Sequence, residues 1–216
     1  MSAFGRIVQH DPRSLNFRAS VAPLPRSVLW GHHAPVLDQG TLGSCTGNAA
    51  AQLINTDAFA ASRPKGYLTE KDAVRLYSMA TKLDDGPGNY PPDDTGSSGL
   101  AVAQAGRKLG YFGSYGHAFG FDHFCAALQL QPLLLGTNWY ESMMTPNKDG
   151  LVTVNGQVAG GHEFLALGVD YAKSQITCLN SWGAGWGANG RFTLGFASMR
   201  RLLAEQGDVV APALKP

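Results

Sequence analysis

The spacing of hydrophobic positions changes about halfway along the chain. From Thr46 to about Ala61 the pairs Ala49–Leu53 and Ala50–Ile54 fall at i,i+4, which predicts a helix. A second helix is predicted to start at Thr69, capped by its hydroxyl with Asp72 three residues on, and to bury Val74, Tyr77 and Met79. A third is predicted from Ser98 to Leu109, with Gly110 placed to stop it. Between these two, Asp84-Asp85-Gly86-Pro87-Gly88 and the residues to Asp94 read as a long surface loop. In the second half the apolar runs shorten to strand length at Pro132–Trp139, Phe164–Val169, Ile176–Leu179 and Arg191–Leu194. Leu151–Val154 and Gln157–Ala159 flank Asn155-Gly156, a two-residue hairpin signal. Helices followed by strands predict an α+β fold of two lobes, with a boundary near 115–130 and a site in the cleft between them.

Composition narrows the class. With 44% hydrophobic and 15% charged residues among 216, the chain is a globular one. The net charge of +1 is spread along the sequence, and no basic run exceeds Arg200-Arg201, so no nucleic-acid footprint is present. No segment approaches the roughly 20 apolar residues that span a bilayer. Residues Met1–Arg18 also lack the apolar core of a signal peptide. Cys45, Cys125 and Cys178 cannot all pair and do not have zinc-ligand spacing. The expected compartment is the cytoplasm, with delivery out of the cell left open. His32-His33, His117 and His123 lack an accompanying ligand pattern, so no metal or cofactor is expected.

Chemistry enters at Gln39-Gly40-Thr41-Leu42-Gly43-Ser44-Cys45, which opens the first helix. A thiol at a helix N-terminus meets unpaired N–H groups and the positive end of the macrodipole, and both favour thiolate. A buried, inert cysteine is an equal reading of that feature alone. Further on, Gly160-Gly161-His162 sits at the mouth of an apolar strand, and Asn180-Ser181-Trp182-Gly183-Ala184-Gly185-Trp186-Gly187-Ala188-Asn189-Gly190 follows. In this order the motifs resemble those of the papain family of cysteine peptidases, over roughly residues 24–195.

That resemblance implies a helical N-terminal lobe (roughly 26–120) and an antiparallel β-rich C-terminal lobe (roughly 121–216), with residues 1–25 as an extension. It implies Cys45 as nucleophile in a thiolate–imidazolium pair with His162, Asn180 orienting the imidazole, and an oxyanion hole from the Gln39 side chain and the Cys45 backbone N–H. Trp182 would cover the His162–Asn180 bond, with Gly161 and Gly43 as supports. Gly96 and Ser97 would pair with an extended peptide, and Trp186 would lie near the leaving-group side or serve in packing. The implied partner is a peptide or protein substrate, or a proteinaceous inhibitor, and a monomer is expected.

Thr46 stands where the family usually has Trp, and Leu42 where secreted members have a disulfide cysteine, which suits a disulfide-free bacterial or phage-like branch. About 25 residues precede the matching region, too few for a folded propeptide, so either regulation differs or a short lead-in masks the cleft. Glu163 occupies a usually small position lining the pocket for the second residue on the acyl side. It would favour Arg or Lys there through a charge-assisted hydrogen bond, or else point to solvent at the rim. Two other functions compete with peptide hydrolysis: an inactive binding module, and thiol chemistry on another amide (amidase, isopeptidase or transpeptidase).

Overall fold

The computed structural model describes residues 3–63 and 66–214. The first helix, α1 (Cys45–Ile54), is buried along its whole length and ends at Asn55, short of the predicted Ala61; a 3-10 turn over Asp57–Ser62 takes its place. Helix α2 (Glu70–Ala80) begins as predicted, with the Asp72 carboxylate accepting the Thr69 N–H at 2.8 Å. It buries Ala73, Leu76, Tyr77 and Ala80, so the face is turned one position from the predicted one. The Ser98 hydroxyl caps α3 (Gly99–Lys108), accepting the Ala101 N–H at 3.1 Å, and Gly110 follows it at φ +88°.

Six strands form an antiparallel sheet in the order β2 (Ser114–His117), β7 (Asp208–Ala213), β3 (Leu133–Tyr140), β4 (Val158–Asp170), β5 (Gln175–Leu179) and β6 (Arg191–Gly195). A seventh, β1 (Val28–Leu29), pairs with β4 at Val169 and Gly168, past the end of the β3 pairing at Ala166. Two helices that the periodicity did not reveal, α4 (Gly120–Leu128) and α5 (Phe196–Ala204), pack on this sheet and on each other. Their apolar stretches are too short to separate from strands by pattern.

The predicted hairpin at Asn155-Gly156 does not form. Gly156 does turn, at φ +81°, but only the residues after it join a strand. Those before it follow β6 instead: the Val152 N–H donates to the Thr193 carbonyl at 3.0 Å, and the Asn155 N–H donates to Ser142 Oγ at 2.8 Å. Other acceptors outcompete the local ladder.

The period-2 pleat of the sheet divides the interior into two cores. Leu134, Leu165, Leu167, Leu179 and Val210 face α1, α2 and α3. Leu133, Leu135, Phe164, Ala166, Phe192 and Val209 face the other way, with Trp139, Trp182 and the α4 and α5 side chains. Residues 162 and 163 therefore leave one strand toward opposite faces.

Candidate active site

Cys45 is the first residue of α1 and is completely buried. The loop ahead of it turns at Gly40, at φ +59°. It is braced by Asp94, whose carboxylate accepts the Gly43 N–H at 2.9 Å and the Tyr77 hydroxyl at 2.6 Å. Backbone N–H groups of Glu163, Gly5 and Thr46 are directed at the thiol. The first of these belongs to the residue after His162, so α1 brings Cys45 against the β4 segment that carries the imidazole.

The tautomer of His162 follows from its partners. Asn180 Oδ1 accepts the Ser181 N–H at 2.8 Å, which identifies it as the oxygen of the amide. The same oxygen lies 2.7 Å from His162 Nε2, so Nε2 must carry the proton. In the neutral ring Nδ1 is then a bare lone pair, and it is buried with no hydrogen-bond partner among the described residues. Trp182 lies 4.9 Å from the imidazole, tilted by 33°, and Trp139 meets it edge-on at 4.9 Å. Trp186 packs against Trp182 at 5.1 Å and donates its indole N–H to the Met144 carbonyl at 2.9 Å, a packing role.

A strap of the chain's own residues, Ala3–Ile7, fills the cleft. Its backbone pairs with Ser97, through Ser97 N–H to Gly5 O and Ile7 N–H to Ser97 O, both 2.7 Å. On the other wall the Arg6 N–H donates to Gly161 O at 3.1 Å. Gln39 Nε2 donates to the Ala3 carbonyl at 3.1 Å, while its Oε1 accepts the Ser181 hydroxyl at 2.6 Å. The walls are glycines of necessity. A Cβ on Gly160 would come within 2.7 Å of the Phe4 ring and one on Gly161 within 2.6 Å of the Arg6 carbonyl, while one on Gly96 would overlap the Gly5 carbonyl. The strap brings the Gly5 N–H close enough to the thiol to pull its pKa down.

Closure sets the ionisation of the pair. Burial pushes the Cys45 thiol up to about 12, against the smaller lowering pull of the amides of Glu163, Gly5 and Thr46. Burial likewise holds His162 down to about 4, outweighing the opposite effect of its bond to Asn180. With the strap seated, desolvation disfavours both charged forms, the thiolate and the imidazolium.

Of the remaining expected residues, Gly43, Gly161, Gly96 and Ser97 all line the strap, Ser97 through its backbone, while Ser98 is a helix cap. Glu163 does not point to solvent: it is fully buried and turned away from His162, beside Arg6 and Asp208. Cys125 and Cys178 are buried free thiols. Arg6, Gly99, Gly136, Trp139 and Asp208 carry no local motif and were not foreseen. A cavity of about 400 Å³ opens beside Asp208, lined also by Gln9, Leu100, His117, Phe119 and Leu203.

No family model matches the chain, and no curated protein matches its sequence. Solved structures do match its fold. Xylellain, a cysteine protease from Xylella fastidiosa, superimposes with a TM-score of 0.77 at 19% identity, over 99% of this chain and 96% of that one. The chain has a papain-like fold. Digestive procathepsin L 3 from the larval midgut of Tenebrio molitor gives a TM-score of 0.66 at 16% identity, covering 98% of this chain and 76% of its own. Bromelain from Ananas comosus in complex with the E64 inhibitor gives 0.61 at 16%, covering 88% and 100%. These papain-like neighbours are cysteine proteases, and at such identities the likeness concerns the fold.

Proposed function

We propose that the chain is a thiol peptidase held closed by its N-terminal strap. Cys45 Sγ attacks the scissile carbonyl carbon as its proton passes to His162 Nδ1, and the carbonyl electron pair moves to oxygen. Gln39 Nε2–H and the Cys45 N–H hold that oxyanion, a kind of donor worth about 10²–10³ in rate. Collapse breaks the C–N bond, and the imidazolium returns the proton to the leaving amine. Water, deprotonated by His162, then cleaves the thioester and frees Cys45. Asn180 keeps the proton on Nε2 throughout, and Trp182 shields that hydrogen bond from water. A substrate would pair with the backbone of Ser97 and Gly161 once the strap has left.

The observation that carries this reading is the fixed tautomer: Asn180 commits the His162 proton to Nε2 and leaves Nδ1 a bare lone pair, on the strand β4 against which α1 packs with Cys45 as its first residue. The Gln39 amide, already donating to a carbonyl in the cleft, supports its part.

The test is a thiol-directed epoxide of the E-64 type, applied to the wild-type protein and to Arg6→Ala, whose strap loses its anchor, with adducts mapped by mass spectrometry. Modification confined to Cys45, faster in Arg6→Ala and abolished by adding His162→Ala, is expected. Equal labelling of Cys45, Cys125 and Cys178, or no labelling of Arg6→Ala, points to a binding module. A digest of a peptide library by Arg6→Ala separates hydrolysis of ordinary peptide bonds from action on another amide.

A further inference from the structure

The side-chain amide of Gln39 has a fixed orientation. Its nitrogen lies 2.9 Å from the Leu42 carbonyl and 3.1 Å from the Ala3 carbonyl, two groups that only accept. Its oxygen accepts the Ser181 hydroxyl at 2.6 Å. One of the two N–H bonds is therefore held by Leu42, and the other faces the cleft, where it meets the strap. The Leu42 carbonyl sets the direction of the donor that Gln39 presents there.

That carbonyl is held in turn from its far end. Leu42 O and the Gly43 N–H belong to one planar trans peptide and point in opposite directions. The Gly43 N–H donates to both oxygens of Asp94, at 3.1 and 2.9 Å. A carboxylate at the N–H end fixes the plane and makes the carbonyl at the other end a stronger acceptor, because hydrogen bonds in a chain polarise one another. The approach needs a residue without a side chain: a Cβ on Gly43 would stand 2.8 Å from Asp94 Oδ1.

Asp94 is exposed, yet its carboxylate is placed by a buried group. The Tyr77 hydroxyl donates to it at 2.6 Å and accepts the Gly96 N–H at 2.9 Å. Tyr77 is fully buried on α2, which lies so close to α1 that a Cβ on Gly47 would come within 2.8 Å of Tyr77 Cβ. All three cysteines are free, so hydrogen bonds and not a disulfide tie the Gly40–Ser44 loop to the segment that carries Gly96 and Ser97.

We propose that Asp94 is a positioning residue of the oxyanion hole. Through the Leu42–Gly43 peptide it aims the Gln39 N–H at the substrate carbonyl. Through Tyr77 and Gly96 it keeps that donor in register with the Ser97 backbone. The oxyanion rests on the peptidase reading; the linkage from Asp94 to Gln39 does not.

Two measurements separate these. The strap is anchored by Arg6, whose Nε donates to Asp208 Oδ1 at 2.9 Å, so turnover of a fluorogenic peptide is measured in Arg6→Ala. Adding Asp94→Ala should lower kcat about tenfold and leave KM within about twofold, as for a donor that acts in the transition state. Asp94→Asn, which keeps an oxygen for the Gly43 N–H without the charge, should fall between. Gln39→Ala should cost about 10²–10³ in kcat, and Asp94→Ala added to it less than about twofold more, because the two act as one unit. A tenfold loss that persists without Gln39, or a rise in KM alone, overturns the proposal. The second measurement needs no turnover. In Cys45→Ala protein, exchange of the Gln39 side-chain amide protons with water, followed by NMR, should accelerate about tenfold on adding Asp94→Ala. Unchanged exchange overturns the proposal. Faster exchange with no cleavage of any peptide by Arg6→Ala sustains the linkage and sinks the peptidase reading. Loss of folding in Asp94→Ala would show in its thermal unfolding, and Asp94→Asn then carries both measurements.

Discussion

His162 and Glu163 are adjacent on β4, and the pleat sends them into opposite surroundings. His162 enters an aromatic cage of Trp139, Trp182, Phe164 and the strap's Phe4, with Asn180 holding one nitrogen. Glu163 enters a hollow of glycines with a carboxylate across from it and the cation of Arg6 between. Burial pushes both toward their neutral forms, His162 by lowering its pKa and Glu163 by raising it well above the ordinary carboxylate value. The difference is in partners. The imidazole is held mainly by Asn180, Trp139 and Trp182 of the body, whereas the cation beside Glu163 belongs to the strap. One strand therefore carries, one residue apart, an imidazole fixed by the body of the protein and a carboxylate faced by a residue of the strap.

That contrast can be broken from either side. The largest effect is expected from His162→Ala in the Arg6→Ala background: kcat/KM should fall by about 10²–10⁴, the usual weight of a general base, while Glu163 and its glycine hollow keep their fold. If the thermal unfolding midpoint collapses as well, the two faces are not independent. Trp139→Ala strikes the cage without touching the hollow. It should cost about 3–5 kcal/mol of stability in urea unfolding, as for a buried tryptophan, and should leave the Arg6–Asp208 contact formed. Gly136→Ala strikes the hollow alone. Its added methyl meets Glu163, Arg6 and Asp208, so overpacking of about 1–3 kcal/mol should unseat the strap. Faster protease cleavage among residues 3–8 would report that, with the unfolding midpoint of the body little changed.

The smallest expected effect is in pH. His162 has a pKa near 4 when closed, below its ordinary 6.5, so the open form takes the proton first and acidification from 6.5 toward 4 favours opening. Glu163 has the reverse sign: raised above 4.5 when closed, it is deprotonated first in the open form, and rising pH favours opening. Closure should therefore be most complete between these limits, read by tryptophan fluorescence through Trp182, whose ring is 6.1 Å from Phe4. Glu163→Gln should abolish the alkaline limb up to the range where Cys45, raised from 9.0 to about 12, begins to act in the same direction.

Much of the His162 side was legible in the sequence. Gln39, Cys45, His162 and Asn180 lie in short motifs whose glycines and tryptophans mark them locally, and the Thr69 and Ser98 caps and the Gly110 stop could be read in the same way. The other side was legible only at Glu163, because its hollow is made by register. Gly136, Glu163 and Asp208 are far apart in the chain and become neighbours through β3–β4 and β3–β7 pairing. Arg6 was hidden differently. Residues 1–25 are expected only as an extension, and no local motif marks Phe4, Gly5, Arg6 and Ile7 as the residues that a glycine-walled groove holds. The Asn155-Gly156 signal misled because Ser142 and Thr193 supplied acceptors that no local pattern reveals.

The bond between Arg6 and Asp208 joins positions 202 residues apart. During synthesis Arg6 therefore leaves the ribosome long before its partner is translated, and β7 is the last strand of the sheet to emerge. Cys45, His162 and Asn180 all precede Asp208, so every residue assigned to the chemistry is translated before the anchor of the strap can form. A chain that stalls before residue 208 therefore carries Cys45, His162 and Asn180 without the carboxylate that anchors the strap.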